Sequence, residues 1–282
     1  MPCDLHCHSR ISDGSLGINE ILSIARRRGL TAVSITDHDA VVGSTRAAVL
    51  GKRLGITVIN GIEMSCIDPQ RKRKVHILGY LYDHPDRLEG ACHRMMQSRR
   101  DAAIKMLRKV LRYYPITPEL VTQCASGSAT IYKQHIMHAL IEAGFTDKFF
   151  GDVFQKLFSS HGGVAYVPIE YPDVRSMIDL IHSAGGVAVL AHPYAYDSTD
   201  LMQDLVAEGR LDGIEVWHPK NNEKQAIELS NFAQQHGLVM TGGTDFHGMY
   251  TDTPHPLGYR TAPDSVLADL EAAKLKRHST RR

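Results

Sequence analysis

Two imidazoles at alternate positions open the chain, His6-Cys7-His8. A carboxylate and an imidazole at the same spacing return near its end, Asp245-Phe246-His247. On a strand, that spacing puts both side chains on one face, because side chains alternate with period two. Between the two pairs lie Thr36-Asp37-His38-Asp39, Gly61-Ile62-Glu63, His76, Ala191-His192-Pro193 and Trp217-His218-Pro219. Imidazole and carboxylate together bind Mn, Fe or Zn. The chemistry in prospect is a divalent-metal centre built from N and O donors. Cys7 alternates away from His6 and His8, so no sulfur ligation is expected.

The text around these residues alternates strand and helix. Ile18, Ile21, Leu22 and Ala25 fall at helical spacing, with Gly29 beyond as a C′ residue. Strands are expected at 30–35, 56–59, 75–81, 186–191, 213–217 and 239–242. Helices are expected at 44–54, 173–183, 201–208 and 222–236. This β-α-β-α order favours parallel strands. Seven strand-like segments then carry His, Asp or Glu, six of them at or just past their C-terminal ends. In a barrel of parallel strands those ends converge on one face. Between His84 and Val167 the text is helical instead: a long helix over 86–112, then 117–124, 133–142 and 147–158. The expected organisation is a discontinuous barrel, 1–83 and 168–282, with a mainly helical inserted cap at 84–167. The basic stretch from Lys274 to Arg282 reads as a frayed, solubilising tail.

Composition sets the bounds. Lys plus Arg number 32 and Asp plus Glu 31, a net charge of +1. Such a balance exerts no global pull on nucleic acid or anionic membrane. No apolar run approaches the roughly 18 residues of a transmembrane helix. Five cysteines, an odd number without paired spacing, argue against a disulfide scaffold and for reduced thiols in a cytoplasm. Histidine is the outlier: 16 residues of 282, more than twice the usual share of about 2%. His84, His93, His138, His182, His236, His255 and His278 fall in loops or on helices, away from the strand ends. No nucleophile elbow and no G-x-x-x-x-G-K-[ST] loop is present.

The ordered set of His6-x-His8, Ser12-Asp13-Gly14, Thr36–Asp39, Gly61–Glu63, Val75–Tyr80, Ala191–Pro193 and Thr244–Gly248 resembles the PHP superfamily of polymerases and histidinol phosphatases. The resemblance spans about 200 residues and implies a distorted (β/α)7 barrel with a trinuclear metal centre. Carried across, it implies one ion on His6, His8, Glu63 and Asp245. A second would share Glu63 and add His76 and His192. A third would sit on Asp13, His38 and His247, with Asp13 standing where many members have His. Two to three divalent ions are implied, Mn²⁺ first, with Fe²⁺ or Zn²⁺ as alternatives. Asp37 fits a role orienting a ligand imidazole.

The helical insertion is similar to the stand-alone TrpH/YciV-like branch, whose members hydrolyse the 3′-phosphate of nucleoside 3′,5′-bisphosphates. Some trim short 5′-phosphorylated RNA. A small nucleotide substrate is thus implied, with no membrane and no obligate protein partner. Branch members commonly carry Arg-Pro-His-Ile at the start of a cap helix; here the text is Lys133-Gln134-His135-Ile136. Lysine keeps the charge and loses the bidentate geometry. Lys133, His135, Arg99 and Arg100 are the candidates for binding a second phosphate. Divalent ions in such a centre activate water for in-line attack on phosphorus. The leaving-group acid is sought among His192, His218 and water on the metals. Two other readings stand beside this one: a phosphatase of another small monoester such as histidinol phosphate, and a barrel that binds without catalysis.

Overall fold

The computed structural model describes residues 2–280. Its strands are β1 (Pro2–Cys7), β2 (Ala32–Ile35), β3 (Thr57–Asp68), β4 (Arg73–Tyr80), β5 (Val187–Leu190), β6 (Gly213–Trp217), β7 (Val239–Gly242) and β8 (Ala262–Pro263). They lie in one sheet ordered β7-β6-β5-β4-β3-β2-β1-β8. The sheet curls nearly shut. His8 N–H donates to the Phe246 carbonyl at 2.8 Å and Phe246 N–H to the His6 carbonyl at 3.2 Å, joining the end of β1 to the segment after β7. The buried Asp4 carboxylate completes the seam, accepting from Thr244 N–H at 2.9 Å, the Thr244 hydroxyl at 2.6 Å and Gly258 N–H at 2.8 Å.

Two departures from the expected strands place functional residues. First, β3 runs 12 residues, not four, so Glu63 lies inside a strand. Second, β4 is antiparallel to both β3 and β5. Only four residues join β3 to β4, too few for the crossover that parallel strands need. The reversal explains why His76 falls early in its strand: running backwards, β4 presents its N-terminal half at the end where the other strands finish. His76 pairs with Ser65, two residues past Glu63.

A bulge does similar work in β1, where the register against β2 slips between Asp4 and Cys7. Before it, Cys3 and Leu5 pack with Leu78, Tyr80, Val187 and Val189. After it, Cys7 packs with Ile18, Ile21 and Leu22 of α1 (Ile18–Arg27), which leaves His6 and His8 on the opposite face. The extra residue of a bulge re-aims side chains in this way.

Helices α1 and α2 (Val42–Leu54) cover β1–β3. Next come α3 (Asp86–Val110), α4 (Pro118–Cys124), α5 (Lys133–Glu142) and α6 (Asp152–Phe158), then α7 (Val174–Ser183), α8 (Thr199–Ala207) and α9 (Glu223–His236) on the β4–β7 side. Helix α3 belongs to two cores. Its first turns place Leu88, Ala91 and Cys92 against Ile62, Ile77 and Ile178. Its last turns place Ala102, Ala103, Met106 and Val110 in a separate cluster with Ile136, Leu140 and Phe158. The expected frayed tail is instead the end of α10 (Val266–Thr280); its last two residues, Arg281 and Arg282, lie outside the described residues. Val266 and Leu270 pack among the lower barrel residues, and Arg277 pairs with Asp212 at 2.5 Å. No helix among the described residues is long and apolar enough to cross a membrane.

Candidate metal centre

The strand ends bring the carboxylates and imidazoles into one buried cluster. Glu63, inside β3, is its hub. One of its oxygens lies 2.6 Å from His76 Nδ1 and 3.1 Å from His192 Nε2; the other lies 2.9 Å from His38 Nδ1, 3.2 Å from His8 Nε2 and 3.4 Å from His6 Nε2. Asp245 Oδ1 is 3.2 Å from His8 Nε2 and 3.4 Å from His6 Nε2. Asp13 Oδ1 is 3.4 Å from His247 Nε2, while Asp13 Oδ2 is 3.9 Å from His38 Nε2. Three groups of donor atoms suit an ion: His6, His8, Glu63 and Asp245; His38, Glu63 and His76; His8, Asp13, His38 and His247. The first is the set implied from sequence. In the second, His38 stands where His192 was implied; His192 faces the same Glu63 oxygen as His76.

The site residues fit a cation. Nine candidate donor atoms in the cluster are buried without a hydrogen-bond partner, among them His6 Nε2, Glu63 Oε2, both nitrogens of His8 and of His76, and Asp13 Oδ1. Buried polar atoms are normally satisfied, and a divalent ion is what a convergent set of N and O atoms accepts. Burial alone would raise the Glu63 carboxyl, yet the rings of His76, His38 and His6 hold it well below the usual carboxylate range. Asp245 and Asp13 are likewise held down against burial, Asp245 by His6 and His247, Asp13 by His247 and His38.

Neighbouring groups fix which nitrogen is offered. His6 Nδ1 meets Glu215 at 2.9 Å, and His247 Nδ1 donates to the Asp245 carbonyl at 2.8 Å, so both rings turn Nε2 inward. His218 is the reverse. Its Nδ1 accepts from Lys220 N–H at 3.1 Å, so the neutral ring carries its proton on Nε2, 3.4 Å from Asp245. That tautomer is unsuited to ligation through Nε2. His192 and Asp245 hold φ of 28° and 51°, left-handed conformations that cost about 1–3 kcal/mol each and gather at functional sites.

Asp37 acts differently from its expected role. It accepts from Ser9 N–H, the Ser9 hydroxyl and the Ser12 hydroxyl, each at 2.7 Å. It therefore shapes the loop that carries Asp13 and orients no imidazole. Gly14 in that loop has no substitute: a Cβ there would lie 2.2 Å from the His8 carbonyl oxygen. The imidazole-orienting carboxylate is Glu215 in β6, which sequence reading missed. It is fully buried, receives His6 through one oxygen and the His192 N–H through the other, the latter at 2.9 Å. The available signal was a lone acid in the strand Gly-Ile-Glu-Val-Trp, alternating with Ile214 and Val216, which pack outward.

A cavity of about 250 Å³ opens from the cluster toward the inserted helices, lined by Asp13, His38, Lys74, Arg99, Lys133 and Tyr196 among others. Of the four expected phosphate binders, two line it. Lys133 stands over the rings of Tyr166, Phe158 and Phe154, and burial, with Lys74 and Arg99 nearby, pulls its ammonium down to about 8. Arg99 is already engaged: it donates to Asp39 at 3.0 and 3.2 Å and to the Ser65 hydroxyl at 2.5 Å. The other two are elsewhere. His135 is buried and caps its own helix, accepting from Tyr132 N–H at 3.1 Å; burial depresses it to about 4, so it is neutral and offers no cation. Arg100, one residue along α3, turns to the outer surface beside Gln123 and Ser126. Lys74 was missed, although it alternates onto the His76 face of β4. Gln134, for which the sequence predicts no role, donates to Asp13 at 3.0 Å.

The PHP domain matches residues 4–183. This chain belongs to the PHP domain family. It is 37% identical over 259 residues to a phosphoribosyl 1,2-cyclic phosphate 1,2-diphosphodiesterase of Eggerthella lenta, covering 91% of this chain and 98% of the relative. It is 30% identical over 255 residues to a 3′,5′-nucleoside bisphosphate phosphatase of Chromobacterium violaceum, covering 86% of each. A crystal structure from Bifidobacterium adolescentis, assigned as a metal-dependent phosphoesterase, superposes with a TM-score of 0.87 at 29% identity, covering 97% of this chain and 98% of that one. The expected PHP barrel is therefore the fold, and the chain is a metal-dependent phosphoesterase.

Proposed function

We propose that this PHP enzyme hydrolyses a small pentose phosphate ester that carries a second, terminal phosphate. Nucleoside 3′,5′-bisphosphates are the first such substrate, and a phosphoribosyl cyclic phosphate is the second. The observation that carries the reading is the pairing of a Glu63-centred cluster with a cavity whose lining includes Lys74, Arg99 and Lys133. The scissile phosphate belongs at the cluster and the second phosphate at the lysines. The cyclic phosphate is favoured by the 37% identity over nearly the whole of the E. lenta relative.

His6, His8, Asp13, His38, Glu63, His76, His192, Asp245 and His247 hold two to three ions in this reading, Mn²⁺ being the first candidate. The ions supply positive charge to the phosphate oxygens and lower the pKa of water. Glu215 fixes His6 and the His192 backbone. His218 keeps a proton on Nε2 next to Asp245, within reach of a leaving oxygen. Residues 84–167 act as the cap: Gln134 reaches Asp13, and Arg99 reaches Asp39, the residue after His38. Phe150 of the cap and Tyr196 of the barrel loop beside it give a ribose or base an apolar wall.

Histidinol phosphate fits less well, because its ammonium group would enter a cavity already holding three cations. The test is product formation with Mn²⁺, followed by chromatography because phosphodiester cleavage frees no inorganic phosphate, across adenosine 3′,5′-bisphosphate, phosphoribosyl 1,2-cyclic phosphate, adenosine 3′-monophosphate, histidinol phosphate and a 5′-phosphorylated short RNA. The reading expects the two-phosphate compounds to exceed the monophosphates in kcat/KM. Preference for the monophosphates would overturn it.

A further inference from the structure

Lys133 is the first residue of α5, and its surroundings set its amine apart from an ordinary lysine. The positive end of the helix dipole lies at that terminus, and no acidic residue occupies the first turn. Among the described residues no carboxylate lies within ion-pair distance of it. Its Nζ stands 5.2 Å from the ring centre of Tyr166, 5.8 Å from Phe158 and 6.0 Å from Phe154. Ring faces attract a cation. Burial, with the charges of Lys74 and Arg99 added, outweighs that attraction and holds the ammonium at about 8. About one such amine in ten is neutral at pH 7, against a few in ten thousand for a lysine near 10.4. A desolvated amine beside other cations is the kind that adds to a carbonyl carbon.

The amine is not sealed in. Lys133 is half-buried and lines the cap cavity of about 250 Å³, so a small molecule in that cavity meets it. The cavity's other cations have different work. Arg99 is a guanidinium, always charged, and Asp39 holds it. Lys74 Nζ lies 3.4 Å from the Tyr196 hydroxyl and has no carboxylate within ion-pair distance among the described residues. Its charge is therefore free to hold an anion. A nucleophilic amine and an unneutralised cation thus face one small space. A molecule that carries an aldehyde and a phosphate satisfies both.

We propose that Lys133 is a covalent capture site for open-chain aldose phosphates. The Lys133 nitrogen bonds to the aldehyde carbon, and the C=O bond is replaced by C=N. The carbonyl oxygen leaves as water, taking the two hydrogens of the neutral amine. No oxidant or reductant is needed, and the imine reverses by adding water. The inference rests on the two-phosphate reading for the phosphate held in the cap cavity, and it adds a feedback. Cleavage of a phosphoribosyl cyclic phosphate at the anomeric oxygen frees a hemiacetal. Its ring opens to an aldehyde that still carries the 5-phosphate. The product then occupies the amine that the next substrate needs.

The test incubates the intact protein with ribose 5-phosphate or with ribose and fixes any imine with cyanoborohydride. Peptide mass spectrometry then locates and counts the adducts. Lys133 should be modified about tenfold more by ribose 5-phosphate than by ribose, the weight of one charge-assisted phosphate contact. Surface lysines should not distinguish the two sugars. Inorganic phosphate should protect Lys133, and kcat/KM on adenosine 3′,5′-bisphosphate should fall in step with the modified fraction. Lys133→Arg, with its melting temperature showing that it is folded, should lose the phosphate-dependent adduct. Equal modification of Lys133 by both sugars, no adduct at Lys133, or a phosphate-dependent adduct at Lys74 in its place would overturn the capture site. Substrate preference is measured separately on the unmodified wild type. If two-phosphate substrates are preferred while Lys133 stays unmodified, this inference alone falls. If they are not preferred, the two-phosphate reading falls whatever the adducts show.

Discussion

The metal cluster and the cap cavity touch at Asp13 and His38, yet they are built on opposite plans. The cluster takes its nine residues from six strands or the segments just past them, held by partners such as Glu215 and Asp37. The cap cavity takes Arg99 and Lys133 from α3 and α5, which meet in an apolar cluster separate from the barrel core, α3 alone reaching into both. One region is buried and sets six imidazoles around three carboxylates. The other is cationic and aromatic. In the reading proposed above, their juxtaposition divides the binding of two phosphates: the cluster takes the ester that breaks, and the cap cavity takes the phosphate that stays.

The division predicts a graded set of losses. Glu63→Ala should have the largest effect, because Glu63 belongs to two of the donor groups. Bound metal should fall by more than one equivalent by elemental analysis, and turnover should drop to background. His218→Ala should keep its metal. Full metal in Glu63→Ala would remove the hub role. Glu215→Ala should come next. Carboxylates that orient ligand imidazoles are worth about 10–100-fold in metal affinity. Titration with Mn²⁺ should show that weakening, with activity recovering at high metal.

The same contrast decides what was legible in the sequence. The ligand types had to occur at strand ends, and period-two alternation put His6 with His8 and Asp245 with His247. Those positions could be read without coordinates. Glu63 and His76 were legible by type, although the long β3 and the reversed β4 that position them were not. Four residues between two strands was the missed physical cue. The cap was harder. Arg99 and Arg100 are adjacent on α3, and a helix turns about 100° per residue; the sequence alone cannot say which faces inward. His135 looked cationic, but its place in a helix cap and its burial make it neutral. Helix α10 went unread because its basic end resembled a tail.

Cap variants should sharpen the comparison with smaller effects. Arg99→Ala leaves the buried Asp39 unpaired, and breaking a buried pair costs about 3–5 kcal/mol. It should lower the melting temperature and impair every substrate. Lys133→Ala should leave the melting temperature almost unchanged. It should cost about 10–100-fold in kcat/KM on a nucleoside 3′,5′-bisphosphate, the worth of one charge-assisted phosphate contact. A nucleoside 3′-monophosphate should lose little. Equal losses on both substrates would make Lys133 a structural residue. Arg100→Ala, on the outer surface, should alter neither substrate by more than about twofold.

The smallest effect is a pH dependence of substrate preference. With an ammonium at about 8, Lys133 is mostly cationic at pH 7 and mostly neutral at pH 9. Loss of the proton removes the attraction for the second phosphate. Since kcat/KM reports groups of the free enzyme, the ratio of kcat/KM for bisphosphate over monophosphate should fall about tenfold between pH 7 and pH 9. Taking the ratio cancels titrations of the metal cluster, which both substrates share. Unfolding through this group cannot mimic the result. Burial lowers the folded value below the unfolded one of about 10.4, so between about pH 8 and 10.4 the unfolded chain holds more protons and this group's contribution to stability rises with pH. Lys133→Arg keeps its charge throughout and should flatten the ratio. A wild-type ratio that stays level across the range would show that Lys133 does not read the second phosphate, leaving Lys74 and Arg99 to do so.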